Sequence, residues 1–302
     1  MDAFPQIIGH KVAQDVLLRM VKNERIPHAI LFVGPSHVGK THLATALIQY
    51  LNQTTKPLSA LSDVSVLVRG TDPKTKKRKS AISVKQVRAL IERLSMSSMD
   101  GSWKIGFVQE ADRLSTGAAN ALLKTLEEPK GKTLLLLRAP SVESVLPTIA
   151  SRCQTIRLSP VSKADISLAL EKRGLGPQEA REIAAQSLGR PGLALKFVND
   201  GAFRARKETA INQARTLLHA SLATQFQSVA ELIPKQDVDK SHALSQLLQD
   251  WSEVVREDLL RLDESTPFNV RVLRRIEEIQ SAMRHNVNPH LALEHLFLST
   301  HL

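Results

Sequence analysis

A single cysteine, Cys153, stands in the 302 residues, which excludes an internal disulfide framework and any cysteine-rich zinc site. No apolar run approaches the ~18 residues that a membrane-spanning helix requires. The opening residues, Met1-Asp-Ala-Phe-Pro5, lack a basic stretch followed by an apolar core, so no secretory signal is read there. The ten histidines show no metal-ligand spacing: His290 and His295 are five apart on an expected helix and do not share a face. What remains is a chain expected to be soluble and cytoplasmic, 42% hydrophobic and 24% charged, long enough for two or three domains. Its formal charge of +11 favours acidic partners, with nucleic acid first among them. Solvated Lys and Arg faces would give the same sum.

The densest information lies in Gly34-Pro35-Ser36-His37-Val38-Gly39-Lys40-Thr41, a complete phosphate-binding loop. An apolar strand, 30–33, runs into it and a helical stretch, 43–51, leaves it. Glycines let backbone N–H groups face a phosphate chain at the positive end of a helix. Lys40 is placed to reach the β- and γ-phosphates, and Thr41 to ligate Mg²⁺. ATP with Mg²⁺ is therefore the expected cofactor.

A second strand, 105–108, ends in Gln109-Glu110-Ala111-Asp112. P-loop ATPases hold Mg²⁺ there with an aspartate. Gln109 is a neutral amide and supplies no charge for the metal's water shell, while Glu110 remains to orient an attacking water. Nucleotide binding is expected, with hydrolysis weak or absent.

Apolar β-type runs at 30–33, 64–68, 105–108, 134–137 and 155–158 alternate with helical stretches, among them 84–94 and 117–126. Such alternation predicts an α/β domain, residues 1–160, with a parallel sheet covered by helices on both faces. After Pro160 no strand is readable. A small helical lid is expected at 161–202, opened by Ser162-Lys-Ala-Asp165, which reads as a capping box, and interrupted by Gly189-Arg190-Pro191-Gly192. Residues 203–302 predict an all-α bundle. Leu244, Leu247, Leu248, Trp251, Val254, Val255 and Leu259 recur at helical spacing, as do Leu273, Ile276, Ile279 and Met283. Asn288-Pro289 caps a last helix with the stripe Leu293, Leu296 and Phe297. The basic run Lys74, Lys76, Lys77, Arg78 and Lys79 reads either as a solvated loop or as a phosphate-backbone contact. No aromatic residue interleaves it to stack a base.

Ordered segments then resemble the clamp-loader branch of the AAA+ ATPases. They are Ile8-Gly9-His10, Pro27-His-Ala-Ile-Leu-Phe-Val-Gly-Pro35, Glu110-Ala-Asp-Arg113, Asn120-Ala-Leu-Leu-Lys-Thr-Leu-Glu-Glu-Pro129 and Leu146-Pro-Thr-Ile-Ala-Ser-Arg-Cys153. The resemblance covers about residues 4–195 by motif and the remainder by helical pattern alone, where it implies a collar. It implies that Arg152 is an arginine finger acting in trans on a neighbouring subunit's ATP. Taken by itself, Arg152 reads equally as a surface arginine at a helix end. Arg190 resembles the lid sensor that contacts bound phosphate, or else a helix-terminal arginine in a Gly/Pro turn. Cys153 reads as a small apolar residue, since no nucleophile's partners accompany it.

Three departures accompany the resemblance. Gln109 replaces the metal-holding Asp, Arg138 stands where the family's first sensor is a Thr or Asn, and residues 52–63 lack the four cysteines of the zinc module that many members carry. No zinc site is implied. The chain stops at Leu302 soon after its last expected helix, which favours a non-motor subunit of a loader over its motor. Implied partners are the other loader subunits, the sliding clamp and primer-template DNA, with no membrane. Two alternatives stay open: an ATP-hydrolysing motor of the same loader, using Glu110 and another Mg²⁺ ligand, or a related DNA-repair or branch-migration ATPase. The latter would call for a winged-helix unit with a short β-hairpin, and none is readable after Gly201.

Overall fold

The computed structural model describes residues 4–72, 78–96, 103–233, 240–259, 265–283 and 287–301. The chain divides into two compact units, Met1–Leu195 and Lys196–Leu302. The boundary expected at residue 160 lies inside the first unit, which holds the sheet and two of the helices read as a lid.

Five strands build the first unit's sheet: β1 (Ala29–Val33), β2 (Val64–Leu67), β3 (Lys104–Val108), β4 (Thr133–Ala139) and β5 (Gln154–Arg157). Their spatial order is β2-β3-β4-β1-β5, with every pairing parallel. Successive side chains point to opposite faces of a strand. Thus Leu31 and Val33 join Leu135 and Leu137 in one core, while Ile30 and Phe32 join Leu134 and Leu136 in another. Burial on both faces is why β1 and β4 read as unbroken apolar runs rather than as alternating ones.

α1 (Lys11–Lys22) and α2 (Lys40–Leu51) cover the Phe32 face through Leu17, Leu43 and Leu47. On the other face lie α3 (Val84–Ser95), α4 (Thr116–Glu127) and α5 (Pro147–Ala150), contributing Leu90, Leu94, Leu122, Leu126 and Ile149. α3 starts where its sequence dictates: Ser83 Oγ accepts from the Gln86 N–H, and Gln86 Oε1 accepts from the Ser83 N–H. This reciprocal box satisfies two of the helix's orphan donors. α6 (Lys163–Glu171) forms only half of the expected box. Ser162 Oγ accepts from the Asp165 N–H at 3.1 Å, but the Asp165 carboxylate takes the Ser162 hydroxyl, at 2.8 Å, instead of the backbone N–H. α7 (Pro177–Gln186) follows, and α8 (Pro191–Asn199) begins at the proline of the Gly-Arg-Pro-Gly turn and crosses the division between units.

Among its described residues the second unit holds helices and no strand: α9 (Gly201–Leu218), α10 (Leu222–Leu232), α11 (Lys240–Leu259), α12 (Thr266–Ala282) and α13 (Pro289–Thr300). Its core is made by the expected stripes, with Leu244, Leu248, Trp251, Val254, Val255, Ile276, Ile279, Leu293, Leu296 and Phe297 buried together. Trp251 and Phe297 pack there with their rings tilted by 43° and centroids 5.7 Å apart. Asn288 Oδ1 accepts from the His290 N–H, and Pro289 fills the first turn as expected. One feature the stripes did not announce is a buried charged group: Lys207 of α9 pairs with Asp250 and, at 2.7 Å, with Glu253 of α11. Asp250 and Glu253 are three residues apart and share a helix face, so one cation answers both.

Candidate functional site

In an open parallel sheet, ligands gather at the carboxyl ends of the strands. β1 runs there into the phosphate-binding loop, β2 into Val68-Arg69, β3 into Gln109-Glu110 and β4 into Arg138 near its last residue. Between them lies a cavity of about 430 Å³, lined by Ser36, His37, Gly39, Lys40, Thr41, Arg69, Gln109, Glu110, Asp112, Arg113, Arg138 and Gly192, among others. The sequence-predicted loop, Gly34 to Thr41, and Glu110 are thus brought together.

Gly34 is dictated by space and Gly39 by its backbone, which has φ +118°. Gly34 has φ +149°, and a Cβ there would lie 2.2 Å from the Leu158 carbonyl oxygen. The apex docks on the start of α8: the Gly192 N–H donates to the His37 carbonyl at 2.8 Å, and a Cβ on Gly192 would meet that oxygen at 2.9 Å. Pro35 and Val38 belong to the same turn. Val38 is buried, and its carbonyl accepts from His10 Nε2 at 2.8 Å. Because a carbonyl only accepts, His10 carries its proton on Nε2. Burial, offset in part by that bond, lowers the His10 pKa and keeps the ring neutral. The Ile8-Gly9-His10 segment thereby braces the loop from outside.

Lys40 folds back on its own loop, donating to the Gly34 carbonyl and, at 2.7 Å, to that of Pro35. Burial, together with the positive charge of Arg138, lowers its pKa to about 8 against an opposing pull from Asp112. Thr41 is engaged as well, its Oγ1 accepting from Arg138 Nη1 at 3.0 Å. The same guanidinium donates through Nε to the Gln109 carbonyl at 2.5 Å, so Arg138 ties the end of β3 to the first turn of α2.

Glu110 is equally occupied. Arg69 donates to its Oε1 from Nε at 3.0 Å and Nη2 at 2.8 Å, and the Arg69 backbone N–H donates to Oε2 at 3.3 Å. Arg78 stands 4.0 Å away. Burial would raise the Glu110 pKa, but the Arg69 bonds and charge outweigh it and hold the carboxyl below its ordinary value. A guanidinium holding Oε1 through two bonds competes with a water for this carboxylate.

A polyphosphate fits these residues: a glycine loop at a helix N-terminus, and lining cations Lys40, Arg69, Arg113 and Arg138 against only the carboxylates of Glu110 and Asp112. A magnesium ion does not fit them. The hydroxyl that would ligate it already accepts from a guanidinium, position 109 is an amide, Glu110 is paired, and Asp112 lies 3.3 Å from Arg113. At ~4 Å and an effective dielectric of ~20, two unit charges repel by about 4 kcal/mol, and a divalent ion beside Arg138 by about twice that.

The remaining expected residues lie elsewhere. Arg190 is buried in the turn before Pro191, outside the residues lining the cavity, and has partners of its own. Arg152 is at the surface beyond α5. Its Nε and Nη2 meet Glu127 Oε1 at 2.7 and 2.6 Å, and Nη1 donates to the Thr148 carbonyl at 3.0 Å. Glu127 belongs to the 120–129 segment and Arg152 to the 146–153 segment, so two of the segments that carry the resemblance meet in this pair. The Cys153 thiol is pushed up to about 12 by burial, in keeping with an inert side chain. Of the basic run, Lys74, Lys76 and Lys77 lie outside the described residues. Arg78 bridges antiparallel to Thr71, and the Lys79 N–H donates to the Gly70 carbonyl at 2.8 Å. No His/Cys/Asp/Glu metal cluster occurs among the described residues, and no described helix is long and apolar enough to cross a membrane.

Sequence reasoning missed Arg69 and the bridging position of Arg138. Both sit at the carboxyl end of a parallel strand, and that position was the available signal.

Residues 9–162 match the family profile described as DNA polymerase III, delta subunit. The DNA polymerase III subunit delta' of Haemophilus influenzae is 36% identical over 188 residues, covering 60% of this chain and 58% of that protein. The DNA polymerase III subunit tau/gamma of the same organism is 29% identical over 170 residues, covering 54% of this chain and 25% of that one. The match therefore spans less than two thirds of either relative. Among solved structures, a mutant of Thermotoga maritima RuvB superposes with a TM-score of 0.50 at 14% identity, over 99% of this chain and 89% of that one. That likeness speaks to the fold alone, a parallel-sheet AAA+ domain followed by helices.

Proposed function

The chain belongs to the DNA polymerase III delta-subunit family, and from that premise we propose that it is a delta-prime-like, non-motor subunit of a sliding-clamp loader. In this reading it works in the cytoplasm beside ATPase subunits of the tau/gamma kind and lends one of them Arg152. ATP binding at the neighbour would open the clamp and close the loader around primer-template DNA. The chain's own loop holds a nucleotide weakly and does not turn it over efficiently.

The observation that carries the proposal is the contrast between the two guanidinium-carboxylate pairs. Glu110, the residue that could activate water, is neutralised by Arg69 inside the cavity. Arg152 is held at the surface, by Glu127 and by the Thr148 carbonyl. An exposed ion pair of this kind is worth at most ~1 kcal/mol. A neighbouring γ-phosphate, with its higher charge, can therefore draw the guanidinium away from Glu127 at little cost, and a fixed arginine at a transferring phosphoryl group is worth ~10³ to 10⁵ in rate.

The test is co-purification of the tagged chain with the loader subunits of its own host, followed by ATPase assays on the reassembled complex. Arg152→Ala is expected to preserve assembly and reduce DNA-stimulated ATP turnover by at least ~10². Recovery of no loader subunit, or an unchanged rate in the variant, would reject the proposal.

A further inference from the structure

We propose that the loop cavity takes its polyphosphate without magnesium, the Arg138 guanidinium standing in the place where the metal would be held. This deepens the nucleotide-binding part of the function proposed above and rests on it.

The placement is specific. Arg138 reaches Thr41 Oγ1 at 3.0 Å, the hydroxyl through which a P-loop normally ligates its metal, and is fixed by a second bond to the Gln109 carbonyl. Residue 109 is the position that would otherwise hold the ion's water shell. Arg138 therefore occupies the Thr41 metal contact and is anchored to the backbone of residue 109, whose neutral side chain supplies no charge to hold an ion in its place.

A metal ion does two things for a polyphosphate: it neutralises charge and it bridges oxygens of adjacent phosphates. A guanidinium can do the first and, with its planar array of donors, approximate the second through hydrogen bonds. It cannot act as an inner-sphere Lewis acid, which fits a site that binds without cleaving. Lys40, Arg69 and Arg113 add positive charge around the same cavity. Stripping magnesium leaves the ligand more negative by the metal's double charge, which favours it in a cation-rich cavity and removes the repulsion between metal and Arg138.

Calorimetric titration of the intact chain with ATP and with inorganic tripolyphosphate, each with excess magnesium and in magnesium-free buffer of matched ionic strength, tests this. Both ligands are expected to bind at least about tenfold more tightly without the metal, a difference of ~1.4 kcal/mol. Arg138→Thr is expected to abolish that preference. Tighter binding with magnesium overturns this inference and leaves nucleotide binding standing. Tripolyphosphate bound metal-free while ATP is not would overturn nucleotide binding and support metal-free polyphosphate recognition. Failure of both ligands overturns both. A metal-free preference that survives in Arg138→Thr removes the role assigned to Arg138. The wild-type comparison decides even if that variant does not fold.

Discussion

Two arginine-glutamate pairs in the first unit have the same chemistry and opposite settings. Arg69 and Glu110 expose 22% and 15% of their side chains, and Arg152 and Glu127 expose 37% and 50%. In the cavity the pair is held by several bonds on both carboxylate oxygens, which under the proposed function keeps Glu110 from activating water. At the surface, solvent screens the pair and the arginine is parked. The motif residues alone would have assigned both Glu110 and Arg152 to catalysis. Their surroundings divide them, one bonded inside the cavity and one paired in solvent at the surface.

The comparison breaks most visibly if the silenced site can be reawakened. Gln109→Asp alone is expected to leave the isolated chain's ATP turnover within about twofold, because Arg138 still caps Thr41 and Arg69 still holds Glu110. Adding Arg138→Thr and Arg69→Ala is expected to raise it by ~10², the scale of restoring aligned charge to a phosphoryl-transfer site. A strong gain from the single substitution would show that Arg138 and Arg69 are no obstacle. Folding of the triple variant is read from its melting curve.

A smaller effect follows from Lys40, whose pKa lies at about 8. An anion favours its protonated form, so the contribution of Lys40 to tripolyphosphate affinity is present below that pH and lost above it. The groups acting on it are Arg138, which lowers its pKa, and Asp112, which raises it, with the loop carbonyls accepting from its ammonium. Affinity is expected to fall about tenfold from about pH 7 to about pH 9.5. Lys40→Arg, always charged, should flatten the curve. A wild-type curve that is already flat would exclude Lys40 from the site.

The smallest effect sharpens the contrast in stability. Glu127→Gln is expected to shift the urea midpoint by less than ~1 kcal/mol equivalent. Arg69→Ala strands a largely buried carboxylate and is expected to lose about 1–3 kcal/mol. Equal losses would mean that the two pairs are not as different as their exposure indicates.

The sheet was legible because a strand buried on both faces must be apolar throughout, as Ala29–Val33 is, and the loop because its glycines are fixed by sterics at Gly34 and its Lys-Thr by phosphate chemistry. The bundle was legible because Trp251 and its stripe repeat at helical spacing and are buried. What did not show was pairing across distance. Arg69 reaches Glu110, 41 residues away, and Arg138 reaches Thr41, 97 residues away, because β2, β3, β4 and the loop after β1 end on one edge. Nothing in spacing along the chain reports which strand ends are neighbours. The Lys207, Asp250 and Glu253 group was hidden for the same reason, since α9 and α11 meet only in the folded unit.

The division of labour is tested most directly by comparing Arg152→Ala with Glu110→Gln in one reassembled loader. DNA-stimulated ATP turnover is predicted to drop by at least ~10² in the first and to stay within about twofold in the second. A collapse with Glu110→Gln and an unaffected rate with Arg152→Ala would contradict it.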